Sequence, residues 1–154
     1  MKQLFLVLTS FLLVGGIACI KDTGCQTKSI DSERAAIQAY ATANSLSVTA
    51  HSSGVYYEIG SPGAGATPTT SSKVFVTYTG KLLNGTTFDS GTTPAGGWVL
   101  SSLIQGWQIG LPLIQKGGSI KLIIPSSLAY GCQDVGTIPG NSILFFDIQL
   151  NDVQ

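Results

Sequence analysis

Val74-Phe75-Val76-Thr77-Tyr78-Thr79-Gly80-Lys81-Leu82-Leu83-Asn84-Gly85-Thr86-Thr87-Phe88-Asp89-Ser90 decides how this chain folds. It opens with period-2 alternation, Val74, Val76 and Tyr78 on one face and Phe75, Thr77 and Thr79 on the other. In a run this rich in β-branched and aromatic residues, that pattern predicts a half-buried strand. Asn84-Gly85 is a strong hairpin signal, because both residues tolerate positive φ. The chain is expected to reverse there and return through Thr86 to Asp89. Strand, turn and return bring the ring of Phe88 and the carboxylate of Asp89 back towards Tyr78. An apolar ring, a phenol and a buried-edge acid then converge at one end of a sheet.

Working outward, the downstream chain is mostly strand. Trp98-Val99-Leu100 reads as a short strand, with Ser101-Ser102 as helix N-caps. Ile104, Trp107, Gln108 and Leu111 fall at i, i+3, i+4 and i+7, the spacing of a helix face. Gly106, Gly110 and Pro112 keep that helix short and dependent on packing. Ile120, Leu122 and Ile124 share one face of a strand that Pro125 ends. Leu144, Phe146, Ile148 and Leu150 share one face of the last strand.

Upstream, Val55 to Ile59 alternates as a strand. Ser61 to Pro68 contains G-x-G, but a dinucleotide fingerprint needs a helix directly after it, and Pro68-Thr69-Thr70-Ser71-Ser72 predicts a bend instead. Asp31 to Ala41 has Ala-rich helix propensity, with Asp31 or Ser32 as N-cap. Its narrow stripe of Ile37, Tyr40 and Ala41 is expected to pack on the domain in preference to pairing two chains. The architecture inferred is α+β: a twisted antiparallel sheet wrapped around one short helix, with an N-terminal helical extension.

At the N-terminus a basic start and the apolar runs Leu4–Leu8 and Phe11–Val14 precede Gly15-Gly16-Ile17-Ala18-Cys19, the layout of a secretory signal peptide. The run is short for a membrane span, which takes ~20 apolar residues. Ala18-Cys19 resembles a bacterial lipobox, which implies lipidation of Cys19, although Gly16 stands where a lipobox usually has Leu. An ordinary cleaved signal is the alternative. The expected organisation is a signal peptide over 1–18, a lipid-anchored tether over 19–30, a helix-and-strand extension over 31–67 and the main domain over 68–154.

Composition excludes several classes. The 154 residues carry 8 Lys+Arg against 8 Asp+Glu, so no basic field exists to attract nucleic acid. His51 is the only histidine; beside Ser52 and Ser53 it reads as a surface turn, since no motif supports a Ser-His-Asp site. One His and three dispersed Cys make no metal-ligand pattern, and no cofactor is expected.

The ordered motifs resemble the FKBP-type peptidyl-prolyl cis/trans isomerases. V-x-V-x-Y-x-G-x-L-x-N-G-x-x-F-D-S over Val74–Ser90 is similar to the family signature. Leu103-Ile104-Gln105-Gly106-Trp107 resembles its V-I-x-G-W, and Gly117 to Pro125 its G-x-x-x-x-L-x-I-P. Leu128-Ala129-Tyr130-Gly131, Ile138-Pro139 and Leu144 to Leu150 follow in the family's order. The resemblance implies a proline pocket with Tyr78, Phe88, Asp89 and Tyr130 as catalytic residues. Leu103, Ile104, Trp107, Ile138 and Phe146 are its implied substrate-binding residues. Trp107 would be the floor, and Tyr78, Phe88 and Phe146 the walls. Ile104 N–H and the Tyr130 phenol would donate to substrate carbonyls. On spacing alone, Trp107 and Phe146 read equally well as core, and Asp89 as a turn cap. Ala95, Gly96 or Gly97 falls where the family often has a second aromatic wall, with Trp98 next to the gap. Thr137 and Gly140 also depart from its flap.

Such a site needs neither nucleophile nor metal. Rotation about a peptide bond costs ~18–20 kcal/mol because resonance is lost, and the site need only bind the twisted imide better than the planar forms. The resemblance implies proline-containing polypeptides as substrates and macrolide immunosuppressants as ligands. With the N-terminal anchor it implies a membrane partner and a place in the cell envelope. Two other classes remain open: a chaperone or Pro-peptide-binding module with weak turnover, and a structural surface lipoprotein. Cys25 and Cys132 remain once Cys19 is set aside, leaving open a tether-to-flap disulfide or two free thiols.

Overall fold

The computed structural model describes residues 24–154; the signal peptide expected over 1–18 and the lipidation expected at Cys19 lie outside them. The organising stretch forms β3 (Lys73–Leu82), which follows α1 (Ile30–Ala43), β1 (Thr49–Ala50) and β2 (Tyr56–Ser61). After it come β4 (Thr87–Thr92), β5 (Trp98–Val99), α2 (Gln105–Gly110), β6 (Ser119–Ile124) and β7 (Leu144–Val153). Every strand pairs antiparallel, in the order β1-β2-β6-β7-β3-β4 with β5 also on β3. The last strand thus lies mid-sheet, between β6 and β3.

The alternation in β3 holds: Val74 and Val76 are wholly buried while Lys73 and Thr77 are exposed. The chain reverses at Asn84-Gly85 as expected, through a three-residue loop. Gly85 N donates to Leu82 O (2.9 Å) and Leu82 N to Thr86 O (2.9 Å), so the loop is Leu83-Asn84-Gly85. Only Gly85 takes positive φ (+89°), the three-residue hairpin closed by a left-handed glycine. Asn84 contributes its side chain instead, Oδ1 accepting from Thr86 N at 2.9 Å.

Helix α2 lies against β6, and its glycines allow the close approach. A Cβ on Gly106 would come within 2.5 Å of Ile124 Cδ1, and one on Gly110 within 2.6 Å of Leu122 Cδ1. Leu111–Leu113 continue it as a 3-10 turn that accommodates Pro112. Trp107 and Leu111 join Val76, Leu122, Ile124, Phe146 and Ile148 in the main core.

On the other face of the sheet, α1 buries Ile37 and Ala41 against Tyr56, Ile123 and Phe145. Tyr40 meets Phe145 with ring centroids 5.6 Å apart. The stripe therefore packs on the domain, as its pattern predicts. The N-cap is Ser29, not Asp31 or Ser32; its side chain accepts from Ser32 N. Residues 25–28 do not hang free as a tether would: Cys25 is bonded to Cys132, and Lys28 N donates to Asn141 Oδ1 at 3.0 Å. Among the described residues no helix is long and apolar enough to cross a membrane.

Candidate active site

A cavity of about 270 Å³ opens between β3, β4, β7 and the start of α2. Phe88 reaches it through a register shift. Gly80 pairs with Asp89 but Lys81 with Thr87, so Phe88 is the extra residue of a bulge, a device that re-aims a side chain. Its ring lies over Gly80, where a Cβ would come within 2.6 Å of Phe88 Cζ and 2.9 Å of Phe146 Cε1. Glycine at 80 is what lets these two rings meet edge to face, 5.5 Å apart.

Trp107, only 4% exposed, forms the floor. It takes edge-on contacts with Phe146 (5.2 Å) and Tyr78 (5.4 Å) and a tilted one with Trp98 (6.4 Å). Such geometries contribute beyond area burial, so each ring fixes the next. Trp98 pairs opposite Val74 and stands 5.7 Å from Tyr78, closing the side where the short loop left a gap in the sequence.

Two residues lining this enclosure carry uncommitted donors. Ile104, the N-cap of α2, receives no side-chain cap. Its carbonyl accepts from Trp107 N (3.0 Å) and Gln108 N (3.3 Å), but its own N–H has no acceptor among the described residues. Gln108 holds it in place by folding back, Nε2 donating to Leu103 O (2.7 Å) and Ser101 O (3.2 Å). The expected serine caps are absent: Ser102 Oγ donates to Val99 O at 2.7 Å within a 3-10 turn. The second donor is Tyr130, 37% exposed, whose hydroxyl bonds nothing among the described residues.

The acid is exposed, not buried at the sheet edge as expected. Asp89 Oδ2 accepts the Tyr78 hydroxyl at 2.6 Å. Burial, then that hydrogen bond and the carboxylate charge, push the Tyr78 phenol up to about 12. Burial and, more weakly, the charge of Asp89 also raise Tyr130. Both phenols therefore stay protonated as donors near neutral pH.

The cavity brings together Tyr78, Phe88, Asp89, Leu103, Ile104, Trp107, Tyr130 and Phe146, with Trp98 and Ser102 added to the lining. Ile138 is not among the lining residues; it is 6% exposed and packs in the main core, its backbone bridged to Val135. Gln108 and Ser102 were missed as site residues. Gln108 reads in sequence only as a helix-face residue, because its bonds to Leu103 O and Ser101 O depend on the 3-10 turn before α2, and Ser102 only as a cap. His51 is confined to its own turn, with Nδ1 2.9 Å from Ser53 Oγ and accepting from Ser53 N at 3.1 Å.

Residues 65–151 match the family described as FKBP-type peptidyl-prolyl cis-trans isomerase. The isomerase FkpA of Buchnera aphidicola subsp. Schizaphis graminum is 46% identical over 110 residues, 70% of this chain and 44% of that protein. FkpA of Escherichia coli K12 is 43% identical over 109 residues, 70% of this chain and 40% of that one. This chain therefore aligns with less than half the length of these relatives. The crystal structure of Escherichia coli FkpA superposes with a TM-score of 0.71 at 37% identity, covering 80% of this chain and 60% of that one. A peptidyl-prolyl cis-trans isomerase from Pseudomonas syringae pv. tomato gives 0.68 at 29%, covering 82% and 97%. The motifs in order, the sheet over one short helix, the Trp107 floor and these matches agree: the chain belongs to the FKBP-type peptidyl-prolyl cis-trans isomerase family.

Proposed function

We propose that this protein catalyses cis/trans isomerisation of X-Pro bonds in exported polypeptides by non-covalent stabilisation of the twisted imide. The observation that carries this reading is a ring-lined cavity whose lining includes two residues with uncommitted donors, Ile104 N–H and the Tyr130 hydroxyl. A planar amide is polar and well solvated; an aromatic, water-poor enclosure disfavours it relative to the twisted form. Donors fixed on the flanking carbonyls hold the twisted geometry, and every tenfold in rate requires only ~1.4 kcal/mol. In this scheme Tyr78, Phe88, Asp89 and Tyr130 act on the reacting bond, Asp89 chiefly by holding the Tyr78 ring. Leu103, Ile104, Trp107 and Phe146 seat the proline and its neighbours, with Ile138 supporting the flap. Macrolide immunosuppressants would compete for the same cavity.

The same proposal places the protein in the cell envelope. Residues 1–18 act as signal peptide, and Cys19 is the lipidated anchor. Residues 19–30 lead into the extension over 31–67 and the isomerase domain over 68–154. The support is the sequence pattern at Ala18-Cys19.

The deciding experiment is exchange of a short X-Pro peptide, followed by NMR with the purified full chain. Acceleration blocked by a macrolide ligand is the expected result. Binding without acceleration would replace the proposal by a peptide-binding module, and neither would leave a structural lipoprotein.

A further inference from the structure

We infer that the segment before the family-matching stretch is a positioning element of the site: Glu33, the Cys25–Cys132 bond and the backbone of Gln26 and Lys28 clamp the loop carrying Tyr130 and so aim its hydroxyl. This rests on the isomerase reading above. None of these N-terminal residues lies within the matched residues 65–151.

The loop runs from Pro125, after β6, to Asn141, before β7, and is gripped at three places that converge on Tyr130. At its start, Glu33 reaches across from α1 while only 3% exposed. Its Oε2 accepts from the N–H of the fully buried Ser126 at 2.8 Å. Ser126 O in turn accepts from Ala129 N (3.1 Å) and Gly131 N (2.8 Å), the two residues flanking Tyr130.

The second grip is covalent. Cys132, two residues past Tyr130, is bonded to Cys25 with Cα atoms 5.4 Å apart. The third is Asn141, held at φ +59°. Its N–H donates to Gly131 O at 2.7 Å, Oδ1 accepts from Lys28 N at 3.0 Å and Nδ2 donates to Gln26 O at 3.0 Å.

The loop needs such restraint. Gly131 and Gly136 both sit at positive φ, and Tyr130 is 37% exposed with a hydroxyl that bonds nothing among the described residues, so packing alone leaves the direction of that hydroxyl unfixed. A donor that wanders loses the advantage of being placed before the substrate arrives. The N-terminal segment supplies that restraint, and reduction of the disulfide would withdraw part of it.

The test uses the oxidised full chain in detergent and reads kcat/KM with the NMR titration of the Tyr130 Cζ signal. Glu33→Ala, the Cys25→Ser/Cys132→Ser pair and Asn141→Gly each remove one grip; glycine keeps the left-handed backbone at 141. Each variant should lose kcat/KM by up to the cost of Tyr130→Phe, about tenfold for one hydrogen bond. Glu33→Gln, which keeps an acceptor for Ser126 N–H, should restore it. Combined with Tyr130→Phe, each variant should lose little more than Tyr130→Phe alone, because the clamp acts through that hydroxyl. The Tyr130 titration should move down towards that of an ordinary phenol as the ring is released to water.

Folded variants with wild-type kcat/KM and an unmoved Tyr130 titration would overturn the inference. So would losses that add fully to that of Tyr130→Phe, since they would mark a role in stability alone. Should Glu33→Ala not fold, the cysteine pair and Asn141→Gly decide the matter. If the wild type shows no turnover, the isomerase reading falls, and the Tyr130 titration in the variants still decides the clamp.

Discussion

The Tyr78 hydroxyl donates to Asp89 Oδ2 at 2.6 Å, joining β3 to β4 next to the Phe88 bulge. The bond ties an exposed carboxylate to a ring that leans edge-on against Trp107, so surface charge and cavity floor are coupled through one phenol.

Burial first, and this bond second, hold the Tyr78 phenol up, and the consequence is an alkaline loss of stability. The folded phenol is raised from its ordinary 10.0 to about 12, so the unfolded state releases its proton first as pH rises. The stabilising contribution is complete below about 10, where both states are protonated, and is lost as pH climbs towards about 12. Tyr40 and Tyr130 are raised too and act in the same direction. Urea midpoints measured from about pH 9 upward should fall, and fall less steeply in Tyr78→Phe.

Turnover should respond to mutation in grades. Tyr130→Phe removes one hydroxyl and keeps the ring, so it should cost roughly 0.5–1.5 kcal/mol, about tenfold at most. Phe88→Ala opens a wall to water and should cost more, part of it as lost stability. His51→Ala and Ser53→Ala should leave kcat/KM unchanged, with folding checked by circular dichroism. A folded Phe88→Ala with wild-type kcat/KM would place the reaction elsewhere.

Gly106→Ala should destabilise, although alanine is the better helix former by ~1 kcal/mol. The new methyl would lie within 2.5 Å of Ile124 Cδ1, and overpacking of this kind costs about 1–3 kcal/mol. A lowered Tm is the expected outcome. A raised one would show that α2 has room to lift from β6.

Cys19 should carry lipid and begin the mature chain. A stable anchor requires more than one acyl chain, so intact mass spectrometry should find a multiply acylated N-terminus. An unmodified Cys19, or cleavage beyond it, is the contrary result.

What could be read in advance was whatever is local. The alternation of Val74, Val76 and Tyr78, the helical spacing of Trp107 and Leu111 and the apolar face of Leu144 to Leu150 are set by neighbours a few residues apart. The Phe88 bulge was not legible, because a register shift belongs to two strands at once and turns on Gly80 lacking a side chain. The same holds for Trp98, placed by pairing with Val74, and for Glu33, whose partner Ser126 is 93 residues away. The exposure of Asp89 followed from its place on a sheet edge, which no periodicity reports. The cap of α1 slid back to Ser29 because Ser29, Asp31 and Ser32 are all competent caps, and Ile30 is drawn into the helix.

The place of β7 between β6 and β3 has a bearing on how the chain is made. As β7 follows all the other strands described, a growing polypeptide on the ribosome presents β3 and β6 each with an unpaired edge until that segment emerges. The sheet is then two separate ribbons, β1-β2-β6 and β3-β4-β5, joined only when β7 pairs with both β6 and β3. Contacts this distant in sequence form slowly, and open edges invite pairing with other chains. Synthesis therefore runs almost to Val153 before the native sheet can close.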